Sequence, residues 1–194
     1  APTGRAAKVM SHYAQRPALT IHKKIYRKKS AATLDMDFVL AENVHENTLF
    51  IIDEASMITN ESVNMFSSSL LDDLLKFVHA GKNCSLMFVG DTAQLPPVGL
   101  IYSPALDPEF MANNYRLHCL SYELTDVVRQ AKLSGILHNA TKIRSEINIE
   151  KNTGSLPFPK FHTRGFKDIY RMTGERLIEG LNYAYDHFGM EKVK

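Results

Sequence analysis

Long apolar runs are missing from this chain. The longest fall far short of the roughly 20 residues that a membrane-spanning helix requires, so a soluble protein with no membrane partner is expected. No charged, apolar, small-residue progression at the start reads as a signal peptide, which favours the cytoplasm. Cysteine is scarce: Cys84 and Cys119 lack CxxC spacing, and the eight histidines do not fall at ligand spacings with them. Neither a disulfide framework nor a zinc site is suggested, and both cysteines are expected to be core thiols. Charge of one sign is also lacking. A net charge of +2 is too small to imply nucleic acid by itself, so any such case rests on local clusters. Internal repeats and low-complexity tracts are absent. What remains is 194 residues with 44% hydrophobic content, enough for one domain plus an appendage.

The organising stretch is Leu49-Phe50-Ile51-Ile52-Asp53-Glu54. Four apolar residues running into two carboxylates read as a strand of a parallel sheet, covered on both faces, that ends at a catalytic edge. In open α/β sheets, ligands bind beyond the carboxyl ends of the strands. Ser85 to Val89 repeats the design and delivers Gly90-Asp91-Thr92-Ala93-Gln94 to the same kind of position. Between them a helix is expected from about Glu61 to Val78, capped by Asn60 and ended by Gly81, with Val63, Phe66, Leu70, Leu74, Leu75 and Val78 as its apolar stripe. Strand, helix and strand make one α/β unit.

Before this unit, Arg5 to Gln15 reads as a helix with Thr3 as its cap. Five basic residues then fall within seven positions, Lys23 to Lys29, around Ile25 and Tyr26. Such a cluster is either a solvated face or a nucleic-acid footprint, depending on its setting. A small hairpin around Phe38-Val39-Leu40 leads to the central strand. After it, the Pro96-Pro97 segment must line a surface, Leu100 to Leu117 reads as loop, and His118 to Leu124 as a further strand. A helix from about Ser134 to Glu146 follows Arg129. Composition changes near residue 150, giving domains 1–150 and 151–194. In the second, Phe158, Phe161, Phe166 and Tyr170 alternate with Lys160, Arg164, Lys167 and Arg171. Such interleaving can stack single-stranded bases, but the preferred reading is a connector pinned down by its aromatics. A last amphipathic helix, Glu175 to Phe188, is expected to turn Leu177, Ile178, Leu181, Ala184, Tyr185 and Phe188 inward and to stop at Gly189.

The carboxylate pair suits metal–nucleotide hydrolysis. Asp53 would hold Mg²⁺, usually through water, and Glu54 would take a proton from the attacking water. Gln94 offers an amide that donates to a phosphate oxygen and orients water, and Arg129 can stabilise charge developing on the γ-phosphate. An isolated Asp-Glu after a strand could equally be two acids at a helix entrance; the second strand end is what tips the balance.

Ala-Pro-Thr-Gly-Arg-Ala-Ala-Lys at 1–8, Thr-Ile-His at 20–22, Asp-Glu-Ala-Ser at 53–56, Gly-Asp-Thr-Ala-Gln-Leu-Pro-Pro-Val-Gly at 90–99 and Val-Arg-Gln at 128–130 together resemble superfamily 1 helicases. Within these, the chain is most similar to the RecD-like group, the exodeoxyribonuclease V alpha subunit and its stand-alone relatives, over residues 1 to about 146. The resemblance implies an α/β fold, a RecA-like P-loop NTPase domain with a mainly parallel sheet flanked by helices. It implies an ATP-dependent 5′–3′ helicase acting on single-stranded DNA in repair and recombination, with ATP and Mg²⁺ as cofactors and other subunits of a helicase–nuclease complex as possible partners. It places Asp53, Asp91, Gln94 and Arg129 at the nucleotide, Pro2, Thr3, Arg5, Thr20, His22 and Lys23 beside the DNA, and Pro97 and Val98 along the strand path.

The departures carry weight too. No Gly-x-x-x-x-Gly-Lys-[Ser/Thr] occurs, so the loop and lysine that cradle the β- and γ-phosphates are missing. The resemblance places that loop upstream of residue 1 and a second motor domain downstream of residue 194. The chain is therefore expected to be an excerpt, incomplete at its N-terminal side and poor at hydrolysing ATP alone. Two other readings stay open: a metal-dependent nuclease using Asp53, Glu54 and Asp91, and a non-catalytic DNA-binding module derived from a motor.

Overall fold

Thr3 opens the chain's first helix as expected, its Oγ1 accepting a hydrogen bond from Ala6 N at 3.2 Å, and α1 runs Gly4–Ala14. The computed structural model describes residues 1–28, 38–62, 68–125, 134–153 and 159–188, with side chains left undescribed over 147–153. A second short helix, α2 (Ile21–Ile25), is capped by Thr20 and passes directly into β1 (Tyr26–Lys28), which pairs antiparallel with β2 (Phe38–Leu40). The expected hairpin is therefore present.

The central unit follows. β3 (Leu49–Ile52) and β4 (Ser85–Phe88) pair in parallel, Leu49 opposite Ser85 through Ile52 opposite Phe88, joined across α3 (Leu70–Ala80). The helix begins nine residues later than the Asn60-to-Glu61 start read from the sequence. Ser69 caps it instead, in a box where Ser69 Oγ accepts from Asp72 N and Asp72 reaches back to Ser69 N. Thr59 and Asn60 lie in non-helical chain ahead of it, and Val63 and Phe66 lie outside the described residues. Its C-terminus does fall at Gly81, but crowding is the reason. The buried Asn43 donates to Phe77 O at 2.9 Å, and a Cβ on Gly81 would stand 2.5 Å from Asn43 Nδ2.

The core gathers Ile21, Ile25, Ile52, Ala55, Ile58, Leu71, Leu74, Leu75, Phe77, Val78, Ala105 and Met111. Two phenols brace the first turn of α3. Tyr26 donates to Asp73 Oδ2 and Tyr115 to Asp72 Oδ1, both at 2.7 Å. Burial, then the hydrogen bond and charge of the partner acid, push both phenols well above their usual range. Burial alone would raise Asp72, yet bonds from Tyr115 and Ser69 outweigh it and hold the acid below the ordinary carboxylate value.

Several expectations are corrected. Among the described residues the sheet is one parallel and one antiparallel pair, which agrees with the expected α/β class at a coarse level as mixed α/β but not as a mainly parallel sheet. β3 is not covered on both faces. Phe50 and Ile52 turn toward the core while Leu49 and Ile51 are exposed, and Met87 and Val89 continue that open face on the neighbouring strand. The stretch from Leu100 is not all loop. Ser103 starts a short 3₁₀ turn, Pro104–Leu106, and Asp107 caps α4 (Pro108–Tyr115), with Pro at the first helical position where its missing N–H costs nothing. Residues 118–124 form no strand: Leu120, Tyr122 and Leu124 are exposed, and none of them pairs with a described strand. Cys84 is half-buried, its Sγ 3.3 Å from His45 O, but Cys119 is exposed and not a core thiol.

The chain divides into two compact units, 1–122 and 123–194. The second contains α5 (Gly135–Thr153) and α6 (Leu177–Phe188). Ser134 starts α5 as expected, and the helix continues through residue 150 to Thr153. The face of α6 read as inward is largely outward, with Leu177, Ile178, Leu181 and Tyr185 exposed. Its described cover is Met172, lying so close to Gly180 that a Cβ there would stand 2.5 Å from the methionine Cε. Gly189 lies outside the described residues, and among those described no helix is long and apolar enough to cross a membrane.

Replacing Ser69 by Ala removes half the capping box and should cost about 1 kcal/mol in urea unfolding. Acid should weaken the fold as well. The native Asp72 binds its proton more weakly than an unfolded carboxylate with its ordinary value of 3.8, so its contribution is present above that pH and lost as pH falls below it. A Tyr115→Phe variant, measured by urea unfolding across that range, should show a smaller acid-side loss than the unaltered chain.

Candidate nucleotide site at the strand ends

The two parallel strands end side by side, and backbone bonds lock their ends together. Val89 N donates to Ile52 O at 2.8 Å, and Ala55 N returns to Val89 O at 2.9 Å. This stitching puts Asp53 and Glu54 next to the loop that begins at Gly90. A Cβ on Gly90 would meet Leu106 Cδ1 at 2.8 Å and the Ser56 amide nitrogen at 3.0 Å, so glycine is what lets the second strand end lie against the turn after Glu54.

Glu54 itself has φ 57° and ψ 40°, a left-handed conformation that costs a non-glycine residue roughly 1–2 kcal/mol. Its backbone N–H donates to Asp53 Oδ1 at 3.0 Å, which fixes one oxygen of that carboxylate. The chain then enters a 3₁₀ turn, Ala55–Met57. From beneath, the buried Ser103 hydroxyl lies 2.8 Å from Ala55 O and 2.7 Å from Ile58 O, its single proton shared between the two carbonyls. Ser56 Oγ is buried with no hydrogen-bond partner among the described residues.

On the other strand, Asp91 Oδ1 accepts from Ala93 N at 3.0 Å and Gln94 N donates to Asp91 O at 3.0 Å, folding 91–94 into a tight turn. Gln94 is exposed and lines an open hollow of about 590 Å³ with Met57, Ala93, Leu95 and Pro96. Beyond it Pro97 is buried, Val98 is 98% exposed, and Gly99 turns the chain at φ +87°.

The first residues pair with the segment that leads into α2. Ala1 N donates to Leu19 O at 3.1 Å and Ile21 N to Ala1 O at 2.9 Å, which brings Pro2 and Thr3 alongside Thr20. Pro2 and Thr3 are half-buried; Arg5, His22 and Lys23 are exposed. Lys24 turns inward, 2.6 Å from His45 Nε2 and over the Phe50 ring, so the basic cluster is only partly outward. Arg129 and Lys29 lie outside the described residues.

A single strand-end acid suits Mg²⁺. This ion takes one or two protein carboxylates and fills its remaining positions with phosphate oxygens and water. Among the described residues one Asp53 oxygen and the Glu54 side chain have no hydrogen-bond partner, so the donor set fits. No group of three His, Cys, Asp or Glu side chains is arranged to hold a metal among the described residues, which leaves the three-carboxylate nuclease arrangement without support.

The parallel strand pair thus ends in Asp-Glu on one strand and Gly-Asp-x-x-Gln on the other. Residues 1–100, just over half of the chain, match the AAA domain family in its helicase-like form, and the chain belongs to that family. A relative from Methanocaldococcus jannaschii, uncharacterized protein MJ1519, is 28% identical over 184 aligned residues. That match covers 88% of this chain and 14% of the relative, so the chain spans about one seventh of the protein it resembles.

Gly90 was visible in sequence as part of its motif, though not for its contact with the Ser56 amide. Ser103 carried no sequence signal. Gly90→Ala forces a methyl against backbone and should destabilise the chain by about 1–3 kcal/mol. Ser103→Ala, which strips two buried carbonyls of their donor, should do so by a similar ~1–3 kcal/mol. Urea midpoints unchanged in both variants would show that the turn carrying Glu54 is not pinned in this way.

Proposed function

We propose that this chain is the hydrolytic half of a nucleotide site in an ATP-dependent 5′–3′ DNA helicase of the RecD-like group, a cytoplasmic motor of DNA repair and recombination. The observation that carries the reading is the strained Glu54 at the end of β3, stitched against the Gly90–Gln94 turn of the neighbouring strand. Strain of this kind persists where surrounding structure over-determines it, and it concentrates at active sites.

In this reading Asp53 would hold Mg²⁺, which would supply charge neutralisation at the phosphates. Glu54 accepts a proton from the water that attacks the γ-phosphorus. The Gln94 amide donates to a γ-phosphate oxygen and orients the same water, and Arg129 stabilises charge as the bond to the leaving phosphate breaks. Asp91 shapes the Gln94 turn. The phosphate cradle is not among these 194 residues, so the isolated chain hydrolyses ATP poorly.

Coupling to DNA follows from chain continuity. Gln94 runs directly into Leu95-Pro96-Pro97-Val98, a stretch that two prolines make stiff. A change at the γ-phosphate is thus felt four residues later at Val98, along the path of the single strand. Pro2, Thr3, Arg5, Thr20, His22 and Lys23 take the DNA backbone on the N-terminal side. Other subunits of a helicase–nuclease complex are possible partners for the assembled motor.

The test is Mg-ATP hydrolysis by the complete gene product with and without single-stranded DNA. DNA should stimulate the rate, and Glu54→Gln should lower kcat by about 10²–10⁴-fold while nucleotide binding survives. An inert complete product, or a Glu54→Gln variant as fast as the unaltered protein, overturns the reading.

A further inference from the structure

Residues 159–171 read Pro-Lys-Phe-His-Thr-Arg-Gly-Phe-Lys-Asp-Ile-Tyr-Arg. From sequence the aromatics of this stretch were expected to pin it down. One of them does. Phe166 lies against α5 so closely that a Cβ on Gly135 would stand 2.6 Å from the phenylalanine Cγ. Two do not: Phe161 is 58% exposed and Tyr170 is 75% exposed.

The charges follow the same division. Asp168, the one acid in the stretch, is turned onto the start of α5, where its carboxylate accepts from the Ser134 hydroxyl at 2.5 Å and from Gly135 N at 2.8 Å. Those bonds, the Ser134 hydroxyl first, hold it below the usual carboxylate range. Lys160, Arg164, Lys167 and Arg171 are all exposed, and none makes an ion pair among the described residues. Asp168 keeps its charge, bonded to the start of α5 by neutral donors, so the stretch presents four cations against one acid, with two flat rings facing solvent.

This surface is also held in place. The buried Asn139 clamps His162 twice, donating to its carbonyl at 2.7 Å and accepting from its N–H at 2.7 Å. Lys142 Nζ donates to Lys160 O at 2.9 Å, and the Tyr170 hydroxyl donates to Lys167 O at 2.8 Å, which fixes the tyrosine ring. His138 Nε2 meets His162 Nδ1 at 3.2 Å. A loop tied down at this many points presents its rings at little further entropic cost on binding.

We infer that residues 160–171 form a single-stranded nucleic-acid contact of their own, with Phe161 and Tyr170 stacking on bases and Lys160, Arg164, Lys167 and Arg171 meeting phosphates. An acidic protein would satisfy the cations but not the rings interleaved with them. A single strand supplies both, since every base has a face to stack and every nucleotide a charge. The contact uses none of the residues assigned to DNA in the motor reading and does not depend on ATP hydrolysis.

The experiment is fluorescence anisotropy of labelled oligothymidylate titrated with the 194-residue chain over a series of salt concentrations. Phe161→Ala with Tyr170→Ala should raise Kd about tenfold. A Phe161→Leu, Tyr170→Leu pair keeps apolar bulk without the rings and should lose affinity in the same way, while circular dichroism confirms an unchanged fold. Lys160→Ser with Arg164→Ser should flatten the slope of log K against log salt by about 1.4, two phosphate contacts' worth for a single strand. No binding, or affinities within twofold and slopes unchanged in all variants, overturns the inference. Affinity that falls with the charges but not with the rings overturns it as well, since that marks a polyanion surface without stacking. Arg5→Ala with Lys23→Ala serves as the separate arm. Binding lost there and kept in the 160–171 variants sinks this contact and leaves the motor reading standing; the reverse result, with an inert ATPase, does the opposite.

Discussion

Two backbone hydrogen bonds, Val89 N to Ile52 O and Ala55 N to Val89 O, carry the arrangement of the first unit. Without them β3 and β4 would be two apolar strands that happen to end in polar residues. With them, a carboxylate pair and an amide are delivered to one edge from segments about 40 residues apart in the chain, and α3 is the span that makes the parallel pairing possible. The rest supports this closure: Gly90 allows the approach, Ser103 holds the turn from below, and the buried side of the sheet packs on Leu71, Leu74, Leu75 and Val78.

How much of this could be read from the residues depends on whether the deciding contact was local. Both central strands, their order and the two loops at their ends were legible, because an apolar run followed by a polar motif is a local pattern. The Thr3 cap and the 26–28 with 38–40 hairpin were legible for the same reason. The start of α3 was not. Asn60 and Ser69 are both acceptable caps, and the choice fell to Ser69 because only there does an acid three residues on complete the box and meet a tyrosine from another element. Helix α4 was hidden by Pro104 and Pro108, which read as breakers yet sit at first-turn positions where proline is at home.

Coverage was the other blind spot. An apolar residue announces that it prefers burial, not that a neighbour exists to bury it. Leu49, Ile51, Met87 and Val89 form a continuous uncovered face on the two-stranded sheet, and the apolar side of α6 is open in the same way. The periodicities were right in both places; what fell short was the next layer. The candidate site shows the converse. Motif spacing alone singled out Asp53, Glu54 and Gln94, whereas the turn that carries Glu54 and the hydroxyl of Ser103 are engaged by contacts more than 30 residues distant in sequence and left no local trace.

The two phenol–carboxylate bonds at the head of α3 bear on how this protein can be watched. The chain contains no tryptophan, so its near-ultraviolet emission comes from its eight tyrosines. Tyr26 and Tyr115 donate to adjacent carboxylates, Asp73 and Asp72, in one helical turn, so both phenols change surroundings when that turn comes apart. The light from these two rings is therefore tied to the integrity of the turn that carries the crossover. The protein has its own optical reporter at the point where the fold of the first unit is decided.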